Sequence, residues 1–358
     1  MNVPSIIRKQ LLTLLAVGAF VLAPAATLAQ VPEQSTGELL DGIIAVVGDH
    51  VVTRSELVQA LAFPAALLKA KTAAGLPQAE VEKEFAQLQS ETRDNLVDNQ
   101  LILLSARAEG MSVAEEVRHR MDKLREGFQN DRARLETFLE GQGFGSAEEY
   151  ERQMEEELLR QRLVFGRVRP RAEISDEDLD KAFAERYAGK SVGGSPCGGA
   201  AVRHHELEQL HFAVATAVSV SEVMTAFEGA YRCVLGLRAG KMTLADAPGV
   251  CRAGEVAPVA GSLGEIDETM SFDPAFQQAF DALVTQPAGS YSDPFIIKDG
   301  IRILRVVSSR LGCVDDDEQV KDLKDRVRAR IEDEKFEKVL KWFLQELRGQ
   351  FRVELKKL

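Results

Sequence analysis

The chain has 358 residues, a net charge of −12, 45% hydrophobic residues and only 6% aromatic ones. That length allows two or three compact units. The excess of acid excludes a nucleic-acid binder, whose phosphate partners demand Lys and Arg.

The first residues stand apart from the rest. Arg8 and Lys9 form a short basic region, residues 11–22 are apolar, and Thr27-Leu28-Ala29 has the small residues of a cleavage site. We expect a secretory signal peptide over residues 1–29, cut after Ala29. The apolar run is too short for a permanent anchor, which wants about 20 such residues. Its removal leaves 42 basic against 56 acidic residues, since Arg8 and Lys9 leave and no acid does. No later apolar run is long enough for a membrane helix, so no stable membrane insertion is expected.

Residues 43–47 and 51–52 are β-rich and flank Gly48-Asp49, a hairpin signal. Thr53 then opens a T-x-x-E capping box with Glu56. The signature recurs at Ser112/Glu115 and Ser146/Glu149, and as S-x-x-D at Ser175/Asp178. Gly110 stands where a helix C-cap belongs. Between the caps, apolar residues repeat at helical spacing: Val97, Leu101, Leu104 and Ala108, then Met154, Leu158 and Leu159. Residues 53–187 therefore read as five or six helices with charged outer faces.

Residues 188–202 are Gly-rich, contain Pro196, and read as a loop or linker. From Glu206 the pattern becomes a strand (207–214), a helix (220–238), a second helical stretch and a loop. The run 260–306 follows, AGSLGEIDETMSFDPAFQQAFDALVTQPAGSYSDPFIIKDGIRILRV. It reads as a Gly-Ser-Leu-Gly turn, a short helix presenting Phe272, Phe276 and Phe280, a short strand, a Lys-Asp-Gly turn and a last strand over 301–307. The acidic run 315–318 leads to an amphipathic helix, 320–348, with Val327, Ile331, Phe336, Val339, Leu340, Phe343 and Leu347 inward. A short strand, 351–355, closes the chain. The class is α+β. An apolar strand at each end is a liability as an unpaired edge, and pairing the two satisfies both.

Four cysteines remain, Cys197, Cys233, Cys251 and Cys313, and they permit three pairings. An exported chain meets an oxidising compartment, which favours disulfides. The spacings contain no C-x-x-C, so no metal site is expected. Gly193-Gly194 and Gly198-Gly199 lack a following Lys-Ser/Thr and a preceding strand, so we expect neither ATP nor another cofactor.

The order of elements in 260–306 resembles the C-terminal half of a parvulin, the small prolyl cis/trans isomerase domain. DGIIAVVGDHVVTRSEL, the helical middle and the final helix-plus-strand resemble the SurA family of periplasmic chaperones. The resemblance implies a mainly helical chaperone module built from residues 38–187 and 315–358, a Gly-rich linker at 188–203 and one inserted parvulin-like domain at 204–310. It implies a periplasmic folding chaperone whose partners are unfolded or nascent exported polypeptides, outer-membrane proteins above all. It also favours the pairs Cys233–Cys251 and Cys197–Cys313, the second of which brackets the isomerase-like segment.

The same resemblance places a proline pocket at Leu263, Phe272 and Phe276, although Phe residues are more often plain core. His211 falls at the first-strand histidine. The second histidine belongs in a Gly-x-His-Ile-Leu pattern, and here Gly300-Ile301-Arg302-Ile303-Leu304 puts Arg302 in its place. The third polar position falls near Ala253 or Gly254, with Glu255 the nearest acid and Cys251 the nearest thiol. The catalytic set is then His211 and Glu255. Arg offers donors only and stays charged, so the domain reads as catalytically degenerate, with an active isomerase as the alternative. A buried Arg302 wants a carboxylate, Asp299 or Glu255. His204-His205 reads as a solvated pair.

Overall fold

The computed structural model describes residues 41–141, 144–214 and 219–356. The expected signal peptide lies outside the described residues. The chain divides into two units; among the described residues three divisions fall within helices and the fourth, at 168/169, falls between two.

Among the described residues, one unit takes 41–65, 83–168 and 340–356. Strands β1 (Ile43–Val47) and β2 (His50–Thr53) form the expected antiparallel hairpin. Gly48 turns it at φ 60°, a conformation other residues adopt at a cost. The last strand, β9 (Val353–Leu355), pairs antiparallel with the other side of β1, with Val47 opposite Val353 and Ala45 opposite Leu355. The two end strands thus share one three-stranded sheet, ordered β2-β1-β9.

Helices follow: α1 (Arg54–Ala74), α2 (Gln78–Ala108), α3 (Ala114–Gly127), α4 (Arg132–Gly141) and α5 (Ala147–Arg167). Thr53 and Glu56 close the first capping box reciprocally, at 2.7 and 3.3 Å. Ser146 caps α5 by accepting from the Glu149 amide at 3.0 Å. Ser112 does not cap α3. Its carbonyl accepts from Arg162, and the helix begins after Val113 with no side-chain cap. Val97, Leu101, Leu103, Leu158, Leu159, Leu163 and Leu347 are buried here. Arg348 donates twice to Asp98, at 2.6 and 3.0 Å.

The other unit takes residues 66–82 and 169–339. It holds α6 (Arg169–Ala172), α7 (Asp176–Tyr187), β3 (Ser191–Val192) and β4 (Ser195–Pro196). Then come β5 (Ala200–Phe212), α8 (Val220–Arg238), α9 (Ala247–Val250), β6 (Val259–Asp267), α10 (Pro274–Leu283), β7 (Phe295–Ile297) and β8 (Gly300–Val314). The helix α11 (Asp317–Gln350) ends the series. Four of the strands make an antiparallel sheet ordered β6-β5-β8-β7.

The stretch expected as a linker is largely structured. Gly193 and Gly194 turn the short β3–β4 hairpin at positive φ. Ala200, Ala201 and Val202 already belong to β5, opposite Val314, Cys313 and Gly312 of β8. All three are buried, and Ala200 and Val202 pack with Leu179 and Phe183 of α7 and Leu323 and Val327 of α11. Burial against two helices overrides the Gly-rich composition around them. The acidic run joins the next helix, where Asp317 and Glu318 meet the positive end of the α11 dipole.

Candidate functional site: an aromatic cluster beside an arginine–histidine pair

Strand alternation sorts the residues of the four-stranded sheet onto two faces. Leu210, Phe212, Ile301 and Ile303 pack with Ala226, Phe227, Ala230 and Val234 of α8. Leu207, Leu304 and Val306 pack on the opposite face with Phe276, Phe280 and Leu283 of α10. His211 alternates with Leu210 and Phe212, and Arg302 with Ile301 and Ile303, so both lie on the α10 face. They stand directly opposite each other in register, and Phe295 of β7 stands opposite Arg302 on its other side. Val259, His211, Arg302 and Phe295 thus form one row across all four strands.

The Lys298-Asp299 turn folds back over this row. His211 Nε2 lies 3.2 Å from the Asp299 carbonyl, an acceptor. The Asp299 carboxylate sits 3.8 Å from the same nitrogen and accepts from Arg302 Nη2 at 2.9 Å. Desolvation pushes this carboxyl up. The charge and hydrogen bond of Arg302, with the charge of His211, outweigh it and hold Asp299 below the ordinary aspartate value. Gly300 makes the approach possible. A Cβ there would fall 2.1 Å from the Phe212 carbonyl and 3.1 Å from His211 Nε2, and φ is 145°. The Arg302 Nε is buried without a hydrogen-bond partner.

The carboxylate beside His211 is therefore Asp299 and not Glu255. Glu255 sits on an exposed two-residue turn, next to Gly254 and between the bridged residues Ala253 and Val256. Ala253, at the third polar position, is a buried methyl against α8. Arg302 is packed beside His211 rather than turned to solvent. Of the other pair, His205 is buried, with Nδ1 2.8 Å from Ser309 Oγ and its ring edge-on to Phe280. Its α10-face position in a paired strand overrides the polar reading of the dipeptide.

Leu263, Phe272 and Phe276 come together, with Met270, Ile266, Phe280 and Phe295 around them. The rings of Phe272 and Phe276 are 4.7 Å apart, and Phe276 meets Phe295 edge-on at 5.9 Å. Phe272 does not share the helix. Asp273 caps α10 and Pro274 opens it, so Phe272 folds over the first turn from outside. Phe276 is the floor at 7% exposure, and Leu263 and Phe272 are half-buried at the rim. The arrangement is an apolar, largely aromatic cluster with half-buried members, next to a cation bound to a carboxylate. Phe295 was not singled out by sequence. The two-residue turn at Lys298-Asp299 was the available signal, since it pairs Ile297 with Gly300 and so sets Phe295 against Arg302.

The sulfurs of Cys197 and Cys313 lie 1.96 Å apart and those of Cys233 and Cys251 1.98 Å apart, both at disulfide distance. Asp315 stands 3.0 Å from Cys313 Sγ.

The family model for the SurA-like N-terminal domain matches residues 2–164. Over these residues the chain is similar to the SurA-like N-terminal domain. The match ends before the four-stranded sheet and its cup. Among solved structures, a SurA-like chaperone of Campylobacter jejuni from the pair PEB4 and Cj1289 is 14% identical over 89% of this chain and 100% of its own, with a TM-score of 0.35. The peptidylprolyl isomerase PrsA of Bacillus anthracis is 14% identical over 71% and 94%, at 0.25. The foldase PrsA of Streptococcus pneumoniae is 13% identical over 86% and 93%, at 0.28. No curated protein matches the chain. Among the described residues no helix is long and apolar enough to cross a membrane.

Proposed function

We propose that this SurA-like chain is a periplasmic folding chaperone for unfolded outer-membrane or secreted polypeptides. It is exported by a signal peptide over residues 1–29, stabilised by two disulfides, and works without ATP. Its inserted isomerase-like domain, 204–310, holds prolyl segments in the cup of Leu263, Phe272 and Phe276 and is catalytically degenerate.

One observation carries the degenerate reading: Arg302 stands in register with His211 and is held by Asp299. A histidine pair can share a proton and present either an acceptor or a donor. A guanidinium presents donors only. The planar prolyl amide has a barrier of about 18–20 kcal/mol, and lowering it needs polar groups placed for the twisted form. Here the histidine is occupied by a backbone carbonyl, the arginine by a carboxylate, and the third position is a methyl.

Two measurements test this on the full mature chain. It is expected to suppress aggregation of an unfolded barrel protein, and failure to do so removes the chaperone reading. It is also expected to leave cis/trans exchange of a proline peptide at the uncatalysed pace of tens to hundreds of seconds. Acceleration that His211→Ala and Phe272→Ala both abolish would establish the active isomerase instead. Phe272 is chosen because it sits at the rim, where truncation leaves the core filled.

A further inference from the structure

We propose that the outer edge of β6 is a docking site for one extended, uncharged polypeptide segment, which adds to the sheet as a fifth strand over residues 259–262. This deepens the chaperone reading and rests on it, since it states how a client's main chain is held.

Strand β6 is the end strand of its sheet, paired to β5 on one side only. Among the described residues, the backbone of 259–262 makes no other main-chain hydrogen bond. Natural edge strands are usually blunted by Lys, Pro or inward charges. The sequence Val259-Ala260-Gly261-Ser262 has none of these, and Val259 is 67% exposed. The pairing stops being regular just beyond: the register slips between Leu207 and Glu208, and Leu263 bulges out toward the cup. The open edge is therefore four residues long, bounded by Pro258 and by the bulge.

Side chains on both sides suit an alternating segment. Val259 and Gly261 lie on the α10 face, in register with His211 and Gln209. Ala260 and Ser262 lie on the other face. There they border a groove of about 330 Å³ whose further lining is Glu208, Arg305, Thr243, Leu244 and Ala245. Glu208 and Arg305 are paired at 2.8 Å, so the groove carries no net charge. An uncharged side chain complements it, and a charged one finds no free counter-charge. Every second side chain of an added strand would enter this groove, and the alternate ones would pass over Val259 toward the cup. Main-chain hydrogen bonds supply the affinity in this mode, which makes it tolerant of sequence.

The test uses the full mature chain and a fluorescein-labelled, uncharged ten-residue peptide of alternating Thr and apolar residues. Its twin is N-methylated at every second amide. Binding is read by anisotropy and the docking place by amide exchange. We expect the N-methylated twin to bind at least tenfold more weakly, Val259→Lys with Ser262→Lys to weaken the parent peptide similarly, and residues 259–262 to gain protection. Equal affinity of the two peptides overturns the proposal, as does protection confined to the cup. So does concentration-dependent dimerisation abolished by Val259→Lys, which would give the edge to a second copy. Aggregation suppression retained while these results fail leaves the chaperone reading standing and removes only the edge.

Discussion

The imidazole of His205 is buried, bonded to Ser309 through Nδ1 and set edge-on against Phe280. Desolvation lowers its pKa, with Arg203 and His204 adding to the effect and Glu268 opposing it. Above the unfolded value of about 6.5 both states are neutral and the group is silent. As pH falls below that value the unfolded chain takes up a proton and the folded chain does not. Stability then drops by at most about 1.4 kcal/mol per pH unit until the folded pKa is reached. Urea midpoints of the full chain are expected to decrease as pH is lowered below about 6.5, and His205→Gln is expected to flatten that slope. Nothing in the dipeptide His204-His205 reveals this difference, because facing is set by partners across the strands. The apolar half of the candidate site was legible, since Leu263, Phe272 and Phe276 stand at family spacing. The polar half was half legible. Asp299 follows Lys298 in an evident turn, but only the fold brings that turn back over His211 in preference to Glu255.

Helix starts were written plainly in the sequence wherever a hydroxyl met an acid three residues on with nothing competing. Thr53, Ser146 and Ser175 each cap as their motifs require. Ser112 does not: α3 begins after Val113, and the Ser112 hydroxyl lies 3.5 Å from the Ala114 amide instead. Ser219 and Glu222 form a full reciprocal box at the start of α8, a helix packed on one face of the four-stranded sheet. Ser219→Ala is expected to cost about 1 kcal/mol, and Ser219→Gly only a few tenths. Chemical denaturation of the two variants checks this, and equal losses would show that the cap is idle. The Gly-rich stretch before β5 was misread for the converse reason. Composition signalled a loop, while long-range pairing with β8 decided three of its residues.

The alternation of Ile43–Val47 and the closing apolar strand made the pairing of the chain's two ends readable without a structure. Truncation after Gln350 leaves the far side of β1 bare. Hydrogen exchange is expected to lose protection through residues 43–53 in that variant, and the truncated chain is expected to self-associate through the bared edge. Where the units divide was not readable, since three of the four divisions among the described residues fall inside continuous helices whose apolar periodicity does not change. A different lesson lies in the stem of the four-stranded sheet. Ala200 and Val314 are cross-strand partners, and the Cα atoms of Cys197 and Cys313 are 5.7 Å apart. The intervening stretch therefore enters and leaves through a single doorway. A gene could lose it, double it or exchange it for another module by joining two neighbouring points, and the remaining polypeptide would keep its path.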